Sequence, residues 1–191
     1  MMGLPKRTAS FSRTEYLQFE RSSDIRNEYF DGEIFAMVGG SPRHSLIKLN
    51  LGAILRDRLL HASCTPYDSD LRILTPSGLY TYPDLSIICR ELQFEDAQKD
   101  TVVNPTLIAE VLSPSTEAYD RGRKFAHYRM IESLQEYLLI SQDFPRVERF
   151  SRNDDGTWTL SVANGLDQSI TLESIGTTVA LADLFAKVDF S

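Results

Sequence analysis

The sequence predicts an α/β fold in which a mixed central β-sheet is flanked by helices and extended by β-hairpins. Residues 82–89, 106–112 and 136–141 are short runs rich in Ile, Leu and Val, the composition of strands covered on both faces. Residues 43–60 and 119–133 have helical spacing, and the second of these lies between two of the apolar runs, giving the strand–helix–strand order of a βαβ-like unit. No internal repeat or linker interrupts the 191 residues, a length that suits one substantial core, so one domain over residues 1–191 is expected.

Each element follows from local chemistry. Ser12-Arg13-Thr14-Glu15 fits a capping box, in which Ser12 and Glu15 satisfy each other's backbone amides, and starts a helix that runs to about Glu20. Residues 28–30 and 33–38 read as a hairpin about Asp31-Gly32, which accepts the positive φ values of a type I′ turn. After Gly39-Gly40-Ser41-Pro42, the helix over 43–60 carries Ile47, Leu51, Ile54 and Leu55 at helical spacing, with Lys48, Arg56 and Arg58 among its polar positions. Residues 70–75 join the three apolar runs as a fourth strand of the central sheet. Asp120 suits the start of the helix over 119–133, where an acid favours the positive end of the helix dipole. A second hairpin, 146–152 and 157–163, turns at Asp154-Asp155-Gly156, and the chain closes with a strand near 170–172 and a short helix near 181–188.

Composition narrows the function classes. No apolar run approaches the ~18 residues of a membrane span, and residues 1–10 lack the apolar middle of a secretory signal, so a cytoplasmic protein with no membrane partner is expected. Cys64 and Cys89 lie far apart with no CxxC spacing, which argues against a zinc ribbon or redox pair and predicts two structural thiols. Twenty basic residues against 27 acidic give a net charge of −7, which counts against a nucleic-acid binder, since phosphate neutralisation supplies much of such affinity. The local exceptions are Arg43/Lys48/Arg56/Arg58 and Arg121/Arg123/Lys124/Arg129, and solvated helix faces explain them about as well.

Two acids stand where strands disfavour them. In Tyr82-Pro83-Asp84-Leu85-Ser86-Ile87-Ile88 and Leu107-Ile108-Ala109-Glu110-Val111-Leu112, a carboxylate interrupts an apolar run. Burying an unpaired carboxylate costs several kcal/mol, so each must meet a cation, find donors or sit where the strand opens to solvent. Either acid alone is an ordinary turn cap or an arginine partner. Two on successive strands fit a shared Mg²⁺ ion, which takes one or two carboxylates and keeps water and phosphate in its other positions.

Tyr29-Phe30-Asp31-Gly32-Glu33, Tyr82-Pro83-Asp84, Glu110-Val111-Leu112-Ser113-Pro114-Ser115-Thr116, Asp120-Arg121-Gly122-Arg123-Lys124 with Tyr128, and Glu136-Tyr137 together resemble the Uma2 family, formerly domain of unknown function 820. That family is placed in the PD-(D/E)XK restriction-endonuclease-like superfamily, and the resemblance covers the chain from about Thr14 to Leu184. It implies a restriction-endonuclease-like core, Mg²⁺ or Mn²⁺ as cofactor, DNA as partner and, by analogy with restriction-type folds, a homodimer. In the common superfamily pattern a lysine stands two residues after the glutamate, on the same strand face. Here that position is Leu112, and the resemblance implies that the lysine has moved to the following helix as Lys124.

On this reading Asp84, Glu110 and Lys124 form the catalytic set. Asp84 and Glu110 are the metal ligands, joined by analogy by a backbone carbonyl near Val111, and Lys124 positions water or stabilises charge on the phosphoryl group. Glu28, Glu33, His44 and Tyr128 are accessory candidates, each with an ordinary alternative: solvated hairpin acids, a helix-start histidine and a packing tyrosine. Tyr128 shares a helix face with Lys124, and Asp120 lies one turn earlier on it. Asp70, which joins the acids or pairs with Arg72, stays outside the core set. The expected function is a divalent-metal-dependent endonuclease hydrolysing DNA phosphodiester bonds. The alternatives are a non-catalytic binding or oligomerisation module that keeps the nuclease fold, favoured by Leu112 and the net charge, and a hydrolase of small phosphoesters.

Overall fold

Helix α1 (Arg13–Glu20) opens the computed structural model, which describes residues 10–37 and 39–190. The expected capping box is formed, with the Glu15 carboxylate accepting from the Ser12 amide at 2.8 Å. Strands β1 (Asn27–Phe30) and β2 (Glu33–Ala36) make the first hairpin, and Asp31 and Gly32 both take positive φ, 48° and 87°. The expected end of β2 at Val38 lies outside the described residues. Ser41 caps α2 (Pro42–Arg58), which buries Ile47, Leu51 and Leu55 as its spacing predicts.

The strands that follow are β3 (Thr65–Asp68), β4 (Arg72–Leu74), β5 (Tyr80–Thr81), β6 (Leu85–Ile88), β7 (Thr101–Val102), β8 (Leu107–Leu112), β9 (Glu136–Ser141), β10 (Arg146–Arg152), β11 (Trp158–Asn164), β12 (Ser169–Leu172) and β13 (Thr177–Ala180). They form a six-stranded sheet in the order β11-β10-β9-β8-β6-β3, a five-stranded sheet in the order β2-β1-β5-β4-β7, and the pair β12-β13. In the larger sheet β8 and β9 run parallel and every other pair antiparallel, so the mixed central sheet is present. Its strands β6, β8 and β9 are buried along their whole length, as their composition requires. One face packs on α2 through Leu85, Ile87, Ala109 and Val111; the other packs through Ile88, Ile108, Leu112 and Leu139 against Tyr128.

Four expectations are corrected. The run 82–89 is a strand only over β6 (Leu85–Ile88), in the larger sheet; Tyr82-Pro83-Asp84 is the crossover that joins it to β5 in the smaller one. Proline, with no N–H to donate, suits such a break. The strand expected over 70–75, observed as β4, also lies in the smaller sheet. The helix expected over 119–133 is α3 (Glu117–Tyr119), a π-helical turn (Asp120–Lys124) and α4 (Phe125–Tyr128). It stops early because the Arg152 guanidinium satisfies the carbonyls of Arg129, Ile131 and Leu134, an alternative to further helical turns. The closing helix α5 (Leu181–Leu184) is likewise shorter than expected, and Lys187 adopts a left-handed φ of 62°.

The two cysteines are not separate thiols. The antiparallel register of β3 and β6 sets Thr65 opposite Ile88, which brings the flanking Cys64 and Cys89 face to face as a disulfide with Cα atoms 3.8 Å apart. Their separation of 25 residues in sequence gave no sign of this pairing.

Candidate active site

The crossover explains how Asp84 tolerates its place. It lies just before the first residue of β6, next to the Leu85–Ala109 pair, so that continuing the register sets it beside Glu110 of β8. The Asp84 amide donates to Glu110 Oε2 at 3.3 Å, and the Val111 amide donates to Asp84 Oδ2 at 2.8 Å. From α2, His44 Nε2 lies 3.1 Å from Asp84 Oδ2 and Lys48 Nζ lies 3.9 Å from Asp84 Oδ1. Asp84 is the most open of the trio, its side chain 15% exposed against 6% for Glu110 and 7% for Lys124.

Glu110 lies on the face of β8 that also carries Ile108 and Leu112, alternating with the α2-facing Ala109 and Val111. Leu112 packs there in an apolar cluster, and the cation reaches Glu110 from the helix instead. Lys124 Nζ lies 2.8 Å from Glu110 Oε1, 3.3 Å from Glu28 Oε1 and 3.7 Å from Asp120 Oδ1. Tyr128, one turn further on, donates to the same Glu110 Oε1 at 2.8 Å. The π-helical turn Asp120–Lys124 thus presents an acid and an ammonium on one side of the helix, and such turns recur at functional sites.

The electrostatics follow from burial. Burial pushes the Glu110 carboxyl up to about 8, with Asp120 and Asp84 adding to the rise and Lys124 opposing it. Burial also raises Asp120. Lys124 loses charge stability to burial, but Glu110, Tyr128, Glu28 and Asp120 around it more than offset this and hold its ammonium well above the ordinary lysine range. Asp84 goes the other way: burial favours its neutral form, yet His44, the Val111 amide and Lys48 keep it below the usual carboxylate range.

The structure therefore brings Asp84, Glu110 and Lys124 together, and places Glu28, His44 and Tyr128 around them. Glu33 is exposed at the turn end of β2 and makes none of these contacts. Asp70 pairs with Arg26 at 2.6 Å, while Arg72 pairs with Asp100 at 3.0 Å, so neither alternative considered for Asp70 holds. Two neighbours escaped the sequence reading. Thr81 of β5 donates to Glu28 and lies 3.4 Å from the Tyr128 hydroxyl. Lys48 is a basic helix residue by sequence, and its position four residues after His44 on one helix face is the signal that places it beside Asp84.

Among the described residues, no set of three or more His, Cys, Asp and Glu side chains converges closely enough to hold a metal ion. The donors that suit a divalent ion are the two carboxylates of Asp84 and Glu110, a set that leaves further positions to water and substrate. Glu28, Asp84, Glu110 and Asp120 have side chains no more than 15% exposed, with the Lys124 ammonium buried among them and Lys48, 31% exposed, beside Asp84.

The Uma2 family model, described as "putative restriction endonuclease", matches residues 13–182. Two uncharacterised proteins of Synechocystis sp. (strain ATCC 27184 / PCC 6803 / Kazusa) are similar. The protein slr1290 is 39% identical over 180 residues, covering 94% of this chain and 93% of its own, and sll1609 is 37% identical over 164 residues, covering 85% and 93%. The crystal structure of a protein described as a putative nuclease of DUF820, from Anabaena variabilis ATCC 29413, superposes with a TM-score of 0.74 at 18% identity, covering 91% of this chain and 96% of that one. The restriction-endonuclease-like fold, the family match over nearly the whole chain and the two relatives agree: the chain belongs to the Uma2 family.

Proposed function

We propose that this chain is a divalent-metal-dependent endonuclease that hydrolyses DNA phosphodiester bonds, with Asp84, Glu110 and Lys124 as its catalytic residues. The observation that carries this reading is the 2.8 Å contact between Lys124 Nζ and Glu110 Oε1, made from the helix where the strand position offers Leu112. Restriction-endonuclease-like nucleases generally use divalent metals, and Asp84 and Glu110 are the ligands assigned to Mg²⁺ or Mn²⁺ here. Such an ion supplies Lewis acidity and a lowered pKa for water. The chain's own groups prepare the site. His44 and the Val111 amide fix the Asp84 carboxylate, and Tyr128 fixes Glu110 Oε1. The Lys124 ammonium counters negative charge on the phosphoryl group, and Glu28 and Asp120 hold it in place. The same reading takes the chain as one domain working as a homodimer in the cytoplasm.

The test is cleavage of plasmid and linear DNA with Mg²⁺ or Mn²⁺. Asp84→Ala and Glu110→Ala abolish cleavage on this reading, and undiminished cleavage by the Asp84→Ala protein sinks the assignment. A second reading, a non-catalytic module that keeps the nuclease fold, is favoured by the net charge of −7 and by the three carboxylates that hold Lys124. Calorimetric titration with Mn²⁺ separates the two, because a silent titration favours the module.

A further inference from the structure

A groove of about 670 Å³ runs between α2 and the edge strand β3, and Asp84 lies in its wall. Lys48, Gly52 and Arg56 follow one another at intervals of four along the α2 side, one helix face beginning at His44. Lys48 is beside Asp84, and Arg56 is exposed two turns further on. Between them Gly52 has no side chain, and a Cβ there would meet only Leu85 Cδ1 at 3.8 Å, so the floor between the two cations is open. Leu49, 67% exposed, adds an apolar surface on the same wall.

We propose that this groove holds one strand of DNA as it enters the acid cluster, with Lys48 and Arg56 on its phosphates and Leu49 against a base. The proposal rests on the nuclease reading of Asp84 and names the form of DNA that the site takes. Eight residues of helix separate the two cations by about 12 Å, which at 3.4 Å of axis per nucleotide spans three to four nucleotides of one strand. Clefts of about 300–1,000 Å³ hold ligands of a few linked rings, which suits a short stretch of one strand and not a turn of duplex. The acids of the groove, Asp68 and Asp84, lie on the β side, so phosphates track the α2 wall. A cationic stripe leading to the most open residue of the site gives an acidic chain a local surface for an anionic polymer.

Fluorescence anisotropy with a labelled phosphorothioate strand of about 12 nucleotides, in Mn²⁺, tests this beside a duplex of equal length. The full-length protein is expected to bind the single strand at least about tenfold more tightly than the duplex, and Gly52→Gln and Arg56→Gln each to weaken that binding about tenfold. Arg56→Gln lowers the slope of log affinity against log salt by about 0.7, whereas Gly52→Gln, which only fills the floor, leaves it unchanged. Both proteins keep the melting temperature of the parent or exceed it, since glutamine favours a helix more than glycine and Arg56 is exposed. Parent-like binding by both variants, or duplex bound as tightly as single strand, overturns the proposal. Calorimetry with Mn²⁺ alone separates the two readings. Normal metal binding with unaffected strand binding removes the groove and leaves the metal site, and a silent titration with groove-dependent strand binding does the reverse.

Discussion

Four buried carboxyl groups crowd the centre of this protein around the Lys124 ammonium, and single residues there should answer to that crowding. Lys124→Met leaves Glu28, Glu110 and Asp120 without their common partner; it is expected to cost about 3 kcal/mol in urea denaturation and to lower cleavage roughly 10²–10³-fold. Glu110→Gln should act in the opposite sense on the metal-free protein. Burial holds the Glu110 carboxyl near 8, above its ordinary 4.5, so its contribution to stability is complete below about 4.5 and lost as pH rises through 8. The amide has no such dependence, and at pH 9 the metal-free variant should melt higher than the parent by about 1 kcal/mol of stability. Thermal scans with Mn²⁺ complete the test: saturating metal raises the parent's melting temperature by several degrees and leaves the variant's unchanged. Asp84 and Glu110 stand out in the sequence because a carboxylate that interrupts an apolar run demands an explanation, and the structure sets the two side by side. Lys124 was not legible from periodicity, which describes an exposed helix lysine equally well; the motif identified it. The choice between Glu28 and Glu33 needed the position of β1 beside β5, which the sequence does not contain.

Elements read well where one periodicity ruled from end to end. α1, α2, the two hairpins and the buried strands β8 and β9 kept their type and nearly their bounds. Sequence and structure part where tertiary groups replaced local bonds, as with Arg152 at the end of α4, and where the start of an apolar run, Tyr82-Pro83-Asp84, became a crossover between sheets. A π-helical turn has no hydrophobic signature of its own, so Asp120–Lys124 looked like any helix. Gly122 sits within this turn, exposed, and a Cβ there would meet nothing within 4 Å. Gly122→Ala is therefore expected to raise stability by about 0.5–1 kcal/mol with cleavage unchanged, as urea denaturation and a plasmid assay would show. A loss of cleavage would mean that the turn must flex during the reaction.

For the molecule as a whole, the smaller sheet is tied down by ions. Arg21, just after α1, reaches Asp96 at 2.8 Å and Asp100 at 2.7 Å, beside β7. The Arg21 hydrogen bond holds Asp100 well below the usual carboxylate range, against burial and with help from Arg72. A depressed carboxylate contributes stability above its unfolded value near 4 and loses it as pH falls further. Arg21→Ala should thus melt about 2 °C below the parent at pH 7, and the gap should close toward pH 2. The crossover at Tyr82-Pro83-Asp84 has a consequence in time as well as in space. Glu28 arrives on the smaller sheet, Glu110 on the larger, Asp84 on the crossover that joins them, and Lys124 on the helix that follows β8. A chain with only one sheet in place holds only part of the cluster, so the proposed site is complete only once both sheets have closed on each other.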